Sequence, residues 1–93
     1  MSAMRGSINR LLLHALLMRL GDAVRGNDDS TADRYHRRVG MIARQHFDPN
    51  PRVSDALEQL LLASSAWLAT DVAERYQTGQ QVLEQIERVE DLL

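Results

Sequence analysis

Apolar residues recur along this chain at helical spacing, in four stretches separated by polar or proline-containing breaks. The first stretch predicts a helix over residues 7–25. Its main stripe is Leu12, Leu13, Leu16, Leu17, Leu20, Ala23 and Val24. A second strip, Leu11, Ala15 and Met18, lies on another side, and Arg10, His14, Gly21 and Arg25 share the polar face. Two apolar strips on one helix call for more than one neighbour. The segment Gly26-Asn27-Asp28-Asp29-Ser30 is polar and turn-forming, and ends this helix.

The second predicted helix covers residues 31–47. Ser30 followed by Asp33 resembles a capping box, with Asp in place of the usual Glu. Tyr35, Val39, Ile42 and His46 form a narrow apolar stripe, while Arg34, Arg37, Arg38 and Arg44 occupy the other side. Both prolines fall between Asp48 and Val53, which makes this the firmest break in the chain.

A third helix is predicted over residues 51–76, with Asn50 as N-cap and Pro51 at the first helical position. One stripe reads Val53, Leu57, Leu60, Leu61, Ser64, Trp67 and Leu68. The opposite side reads Leu62, Ala66, Ala69 and Ala73, a ridge that would let another helix approach closely. This helix and the first are expected at the centre of the domain. A fourth helix, over residues 79–92, has Thr78 and Gln81 as a capping box and Val82, Ile86, Val89 and Leu93 as its seam. The alternative is one long C-terminal helix from Pro51 to Leu92. Glycine costs only about 1 kcal/mol in a helix interior, so Gly79 does not forbid it. The break is the favoured reading. No period-two alternation runs long enough for a strand. The expected fold is all-α: a three- or four-helix bundle-like domain, possibly with a long C-terminal helix, over residues 1–93.

Composition narrows the chemistry. A chain of 93 residues has limited core capacity and fits one domain. Apolar content of 44% and charged content of 26% exclude wholesale disorder. The absence of cysteine excludes disulfide frameworks, Cys-ligated zinc, iron–sulfur clusters and thiol catalysis. All 11 cations are arginine, so Schiff-base lysines and the P-loop are excluded too. Exclusive use of arginine hints at a GC-rich bacterial genome.

Arg5, Arg10, Arg19 and Arg25 give the first stretch a superficial likeness to a presequence. The apolar run from Leu11 to Met18 is interrupted by His14 and is about half the length of a membrane span. No small-residue cleavage site follows it. A cytoplasmic protein without a membrane segment is expected.

Charge is asymmetric. Residues 1–52 hold nine arginines against five aspartates, a net +4, while residues 53–93 hold two arginines against eight acidic groups, a net −6. The two halves either pack with complementary rims or steer an opposite-charge partner.

Candidate chemistry is sparse. No histidine pair has the i, i+3 or i, i+4 spacing of a helical metal site, and Asp33 with His36 is a single pair. No metal or other cofactor is expected. His46 reads as a packed, hydrogen-bonded residue. Ser64 and Ser65 sit mid-helix, without a nucleophile elbow. Asp71 continues the apolar stripe of the third helix, with Arg75 as its local ion-pair partner. The chain is similar in size to helical chorismate mutases, but lacks the lysine of their pattern and carries no matching motif. No catalytic residue is expected.

What remains is surface. The helices offer more apolar faces than one small bundle needs, which implies association. The leading expectation is a non-enzymatic protein–protein interaction module, such as a small bacterial adaptor, chaperone or antiactivator-type regulator. It would act by helix–helix packing with itself, as a homodimer, or with a protein partner. Its expected contacts are Leu11, Ala15, Met18, Ala66, Ala69, Ala73, Val82, Ile86 and Val89. The alternative is a nucleic-acid-binding regulator using Arg34, Arg37, Arg38 and Arg44.

Overall fold

The computed structural model describes residues 6–93; Arg5 of the basic N-terminal stretch lies outside them. Four α-helices make up the fold: α1 (Arg10–Arg25), α2 (Asp29–Gln45), α3 (Pro51–Ala69) and α4 (Tyr76–Leu92). A single 3₁₀ turn, Val72–Glu74, lies between α3 and α4. Each helix packs on its two neighbours in a ring, α1 on α2, α2 on α3, α3 on α4 and α4 on α1, while the diagonal pairs barely touch. Short connections make successive helices antiparallel. The chain is therefore an all-α, up-down-up-down four-helix bundle. Neither α1 nor α3 is central, contrary to the sequence expectation, because a square of four helices gives each one two neighbours and one outward corner.

The helix ends follow from their caps. Asn9 caps α1 by accepting from Leu12 N, so α1 starts at Arg10 rather than Ser7. Residues 7 and 8 are extended instead: Ser7 and Phe47 form an isolated parallel bridge, and Ile8 N donates to Phe47 O at 2.7 Å. Asp28, not Ser30, caps α2, accepting from both the amide and the hydroxyl of Thr31. Between α1 and α2, Asn27 takes the left-handed conformation (φ 53°), which asparagine tolerates better than most side chains. Asn50 caps α3 through Arg52 N, with Pro51 in the first turn, as the sequence predicts.

The break between α3 and α4 exists, but it lies at residues 70–75 rather than 77–79. Thr70 turns extended, its hydroxyl donates to Ala66 O, and Arg75 folds back to donate to the carbonyls of Thr70 and Leu68. These bonds satisfy acceptors that a helix end would otherwise leave free. Gly79 consequently falls inside α4, and Thr78 donates to Arg75 O instead of forming a capping box.

The core is a continuous layer of Leu13, Leu17, Leu20, Val39, Val53, Leu57, Leu60, Trp67, Val82 and Val89, all fully buried. Burying each such side chain contributes roughly 1.5–3 kcal/mol. One arginine ties each pole of the bundle. At one pole, Arg10 forks onto Asp48 at 2.8 and 3.0 Å and donates to Leu93 O. At the other, Arg75 forks onto Asp29 at 2.5 and 2.8 Å, reaches Asn27 Oδ1, and stacks 4.1 Å from the Trp67 ring centroid.

Candidate functional site

Closing the square sorts the expected contact residues into two groups. Val82, Ile86 and Val89 are buried in the core against the other helices. Their seam is the inward face of α4, which corrects the expectation that it meets a partner. Leu11, Ala15 and Met18 form the outward face of α1, with Leu11 83% and Met18 52% exposed. Leu12, expected in the main stripe, is half-exposed. Leu62, Ala66 and Ala69 form the outward face of α3. Ala73 is exposed but lies in the 3₁₀ turn beyond α3, so it does not continue that ridge.

The four arginines of α2 are all exposed but do not share one face. Arg34 lies in the groove toward α1, with Arg19, Asp22 and Asp28. Arg38 stands over the Tyr35 ring, 5.7 Å from its centroid. Arg37 pairs with Asp33 at 3.0 Å and, with Arg44, lines the groove toward α3. The outward face of α4 carries Glu84, Glu87 and Asp91. Going round the bundle, an apolar corner on α1 is followed by a basic corner, a second apolar corner and an acidic one.

The groove between α2 and α3 has a volume of about 630 Å³ and is lined by His36, Arg37, Gly40, Met41, Arg44, Glu58, Leu61, Leu62 and Ser65. His36 Nδ1 lies 2.5 Å from Ser64 Oγ. Ser64 Oγ also lies 3.2 Å from Leu61 O, the local back-bond of a mid-helix serine. Burial pushes the His36 pKa down, with the nearby Asp33 opposing and Arg37 assisting. In distance alone this resembles a nucleophile and its base. Ser64 is only 1% exposed, however. The pair fastens α2 to α3.

Other expectations change at the contacts. Arg75 pairs with Asp29 rather than with Asp71, which is exposed beyond the end of α3. The hydrogen bonds from Arg75 hold Asp29 below the usual carboxylate range, and those from Arg10 do the same for Asp48. His46 is half-buried as expected, but its Nδ1 has no partner among the described residues. His14 is not on a free polar face: its Nδ1 lies 2.6 Å from Glu90 Oε2 on α4. Among the described residues no group of three or more His, Asp or Glu side chains is placed to hold a metal ion. No helix there is long and apolar enough to cross a membrane.

No family model, characterised protein or solved structure matches this chain.

Sequence reasoning missed the two arginine ties and the acidic face of α4. The ties join residues 38 and 46 positions apart, and no local spacing announces such pairs. The acidic face had a signal in the i, i+3, i+7 spacing of Glu84, Glu87 and Asp91.

Proposed function

We propose that this chain is a non-enzymatic protein–protein interaction module that acts by helix–helix packing. One observation carries the reading: Leu11, Ala15 and Met18 stay outward after four helices have closed the core. A core this complete has no use for an 83% exposed leucine and a half-exposed methionine on one helical face. The outward ridge of Leu62, Ala66 and Ala69 is a second, smaller surface of the same kind. A partner helix would lay its apolar side along α1, oriented by the charged corners on either side. Adaptor, chaperone and antiactivator-type regulator of a bacterial cytoplasm are the roles this surface suits.

The test is the double variant Leu11→Asp, Met18→Asp. Both positions lie outside the core, so helix content and melting should stay close to wild type. Association, read by light scattering of the pure protein and by co-purification from cells expressing the full chain, should be lost. Unchanged association in the variant would sink the reading.

Nucleic-acid binding has weaker support. It needs Arg34, Arg37, Arg38 and Arg44 to act together, but Arg34 lines one groove, Arg37 and Arg44 line another, and Arg37 is already paired. A salt-sensitive DNA or RNA complex that weakens in Arg37→Ala, Arg38→Ala would favour it instead.

A further inference from the structure

We propose that the groove between α2 and α3 binds a small apolar carboxylate, whose charged head sits between His36 and Arg44. The site lies on a different edge of the bundle from the strip of Leu11, Ala15 and Met18, so it does not depend on the interaction reading. Its floor is Gly40, buried in the middle of α2. Glycine is the poorest helix former after proline. Neither backbone nor packing asks for it here. Its φ is not positive, and an added Cβ would lie 3.7 Å from Arg44 Nη1 and 3.8 Å from Leu61 Cδ2, which are ordinary contact distances. The missing side chain leaves a gap between two polar groups. His36 stands one turn before Gly40, about 6 Å along the axis. Arg44 starts one turn after it but folds back, so its Nη1 reaches the level of Gly40.

Both polar groups have bonding capacity to spare. Arg44 makes no ion pair among the described residues, whereas Arg37 in the same groove is spent on Asp33. His36 uses Nδ1 on Ser64, which leaves Nε2 for the groove. One carboxylate can accept from an Arg44 N–H and from Nε2–H of a protonated His36, at about 2.7–2.9 Å each. The rest of the site is apolar. Met41 and Leu62 form the two lips, 47% and 60% exposed, above Leu61. A volume of about 630 Å³ is that of a small-molecule site, where a mostly apolar lining meets a few convergent polar groups. Glu58, one turn from Leu61 on the α3 wall, repels a second negative charge. The ligand is therefore a monoanion with one apolar body.

Binding here is linked to a proton. The charged groups facing His36 are Asp33 and Arg37 on its own helix, which pair with each other, and Arg44 and Glu58 along the groove. An anion seated on the ring favours the imidazolium. Burial holds the empty site's His36 below its ordinary value, so near neutral pH the ligand brings a proton with it. Affinity rises as pH falls, and levels off below the native pKa of His36.

Naphthylacetate is the probe and its neutral amide the control. In an NMR titration of the isotope-labelled full chain, the acid should shift backbone amides of α2 and α3 that line the groove. The shifts should saturate with a dissociation constant on the order of 1 mM, as a ligand of this size in an open groove allows. Affinity should be about three- to ten-fold weaker at pH 7.5 than at pH 5.5, and His36→Gln should remove that difference. Arg44→Gln should weaken binding about three- to thirty-fold. Gly40→Leu fills the gap with a good helix former and should abolish binding. Gly40→Ala, a smaller change that should also raise stability, should weaken it several-fold. No saturable shift by about 10 mM overturns the proposal. Equal binding of the amide overturns the charged head. Shifts that fall on α1, or that survive both Gly40 variants, overturn the groove as the site. A pH dependence unchanged in His36→Gln overturns the role of His36.

Discussion

Replacing Gly79 with alanine should stabilise this bundle. Gly79 is buried in the first turns of α4, and its φ is negative, so alanine adopts the same backbone without strain. The added Cβ would lie 3.4 Å from Trp67 Nε1, 3.6 Å from Trp67 Cδ1 and 3.7 Å from Val24 Cγ1. These are ordinary van der Waals distances, so no neighbour has to move. Glycine is about 0.8–1.0 kcal/mol less favourable than alanine in a helix interior. A buried methyl group adds up to about 0.8 kcal/mol. Gly79 is close to the start of its helix, where the propensity term is reduced, so the expected gain is about 0.5–1.5 kcal/mol. In a domain of this size that raises the melting midpoint by about 2–10 °C. Thermal and urea melts followed by far-ultraviolet circular dichroism would measure it. Gly79→Val puts two γ-carbons into the same gap and should lose about 1–3 kcal/mol. An alanine variant less stable by more than about 1 kcal/mol would refute the reasoning, because Trp67 and Val24 would then already fill that space.

Three other outcomes follow from the packing and the polar ties. Leu17→Ala, at a fully buried position, should cost about 2–5 kcal/mol, whereas Leu11→Ala should stay within about 0.5 kcal/mol. Equal losses in urea melts would undo the division into core and surface strips. Burial holds His36 below its ordinary value of 6.5, so the unfolded chain binds that proton more readily than the native one. The contribution of a neutral His36 is complete above about pH 6.5 and is lost as pH falls from there toward the native pKa. His36→Gln should flatten the stability profile in this window, and an unchanged slope there would contradict the assignment. Arg75→Lys should lower the urea midpoint almost as far as Arg75→Met, because an ammonium cannot fork onto Asp29 while stacking on Trp67. Full rescue by lysine would mean that charge alone matters there.

The helical core was legible because burial follows the 3.6-residue period. Leu13, Leu16, Leu17 and Leu20, and Val53, Leu57, Leu60, Ser64 and Trp67, lie inward as their spacing requires. The caps were legible only where one residue type had no local competitor. Asn50 before Pro51 is such a case. At the start of α2, Asp28, Asp29 and Ser30 all had the right chemistry, and Asp28 takes the cap through its bonds to the amide and hydroxyl of Thr31, while Asp29 is drawn to Arg75. The break after α3 was misplaced because its cause is a side chain five residues on, Arg75, bonding back to Thr70. The seam of α4 was legible as apolar, but periodicity cannot say whether an apolar face meets its own chain or another. The strip of Leu11, Ala15 and Met18 differs only in lying on a helix that has a second, stronger stripe.

The ring-like packing also bears on how the bundle forms. Its most extensive contacts join helices adjacent in sequence, α1 with α2 and α3 with α4. Each of these hairpins closes over a short connection, so little chain entropy is lost before apolar contacts repay it. Only the α1–α4 edge requires the two halves to meet across the length of the sequence. A chain wired in this way should fold in microseconds to milliseconds, with two hairpins docking in the final step. The tie from Arg75 to Asn27 and Asp29 spans the two halves, so it should close late, and its removal should speed unfolding far more than it slows folding.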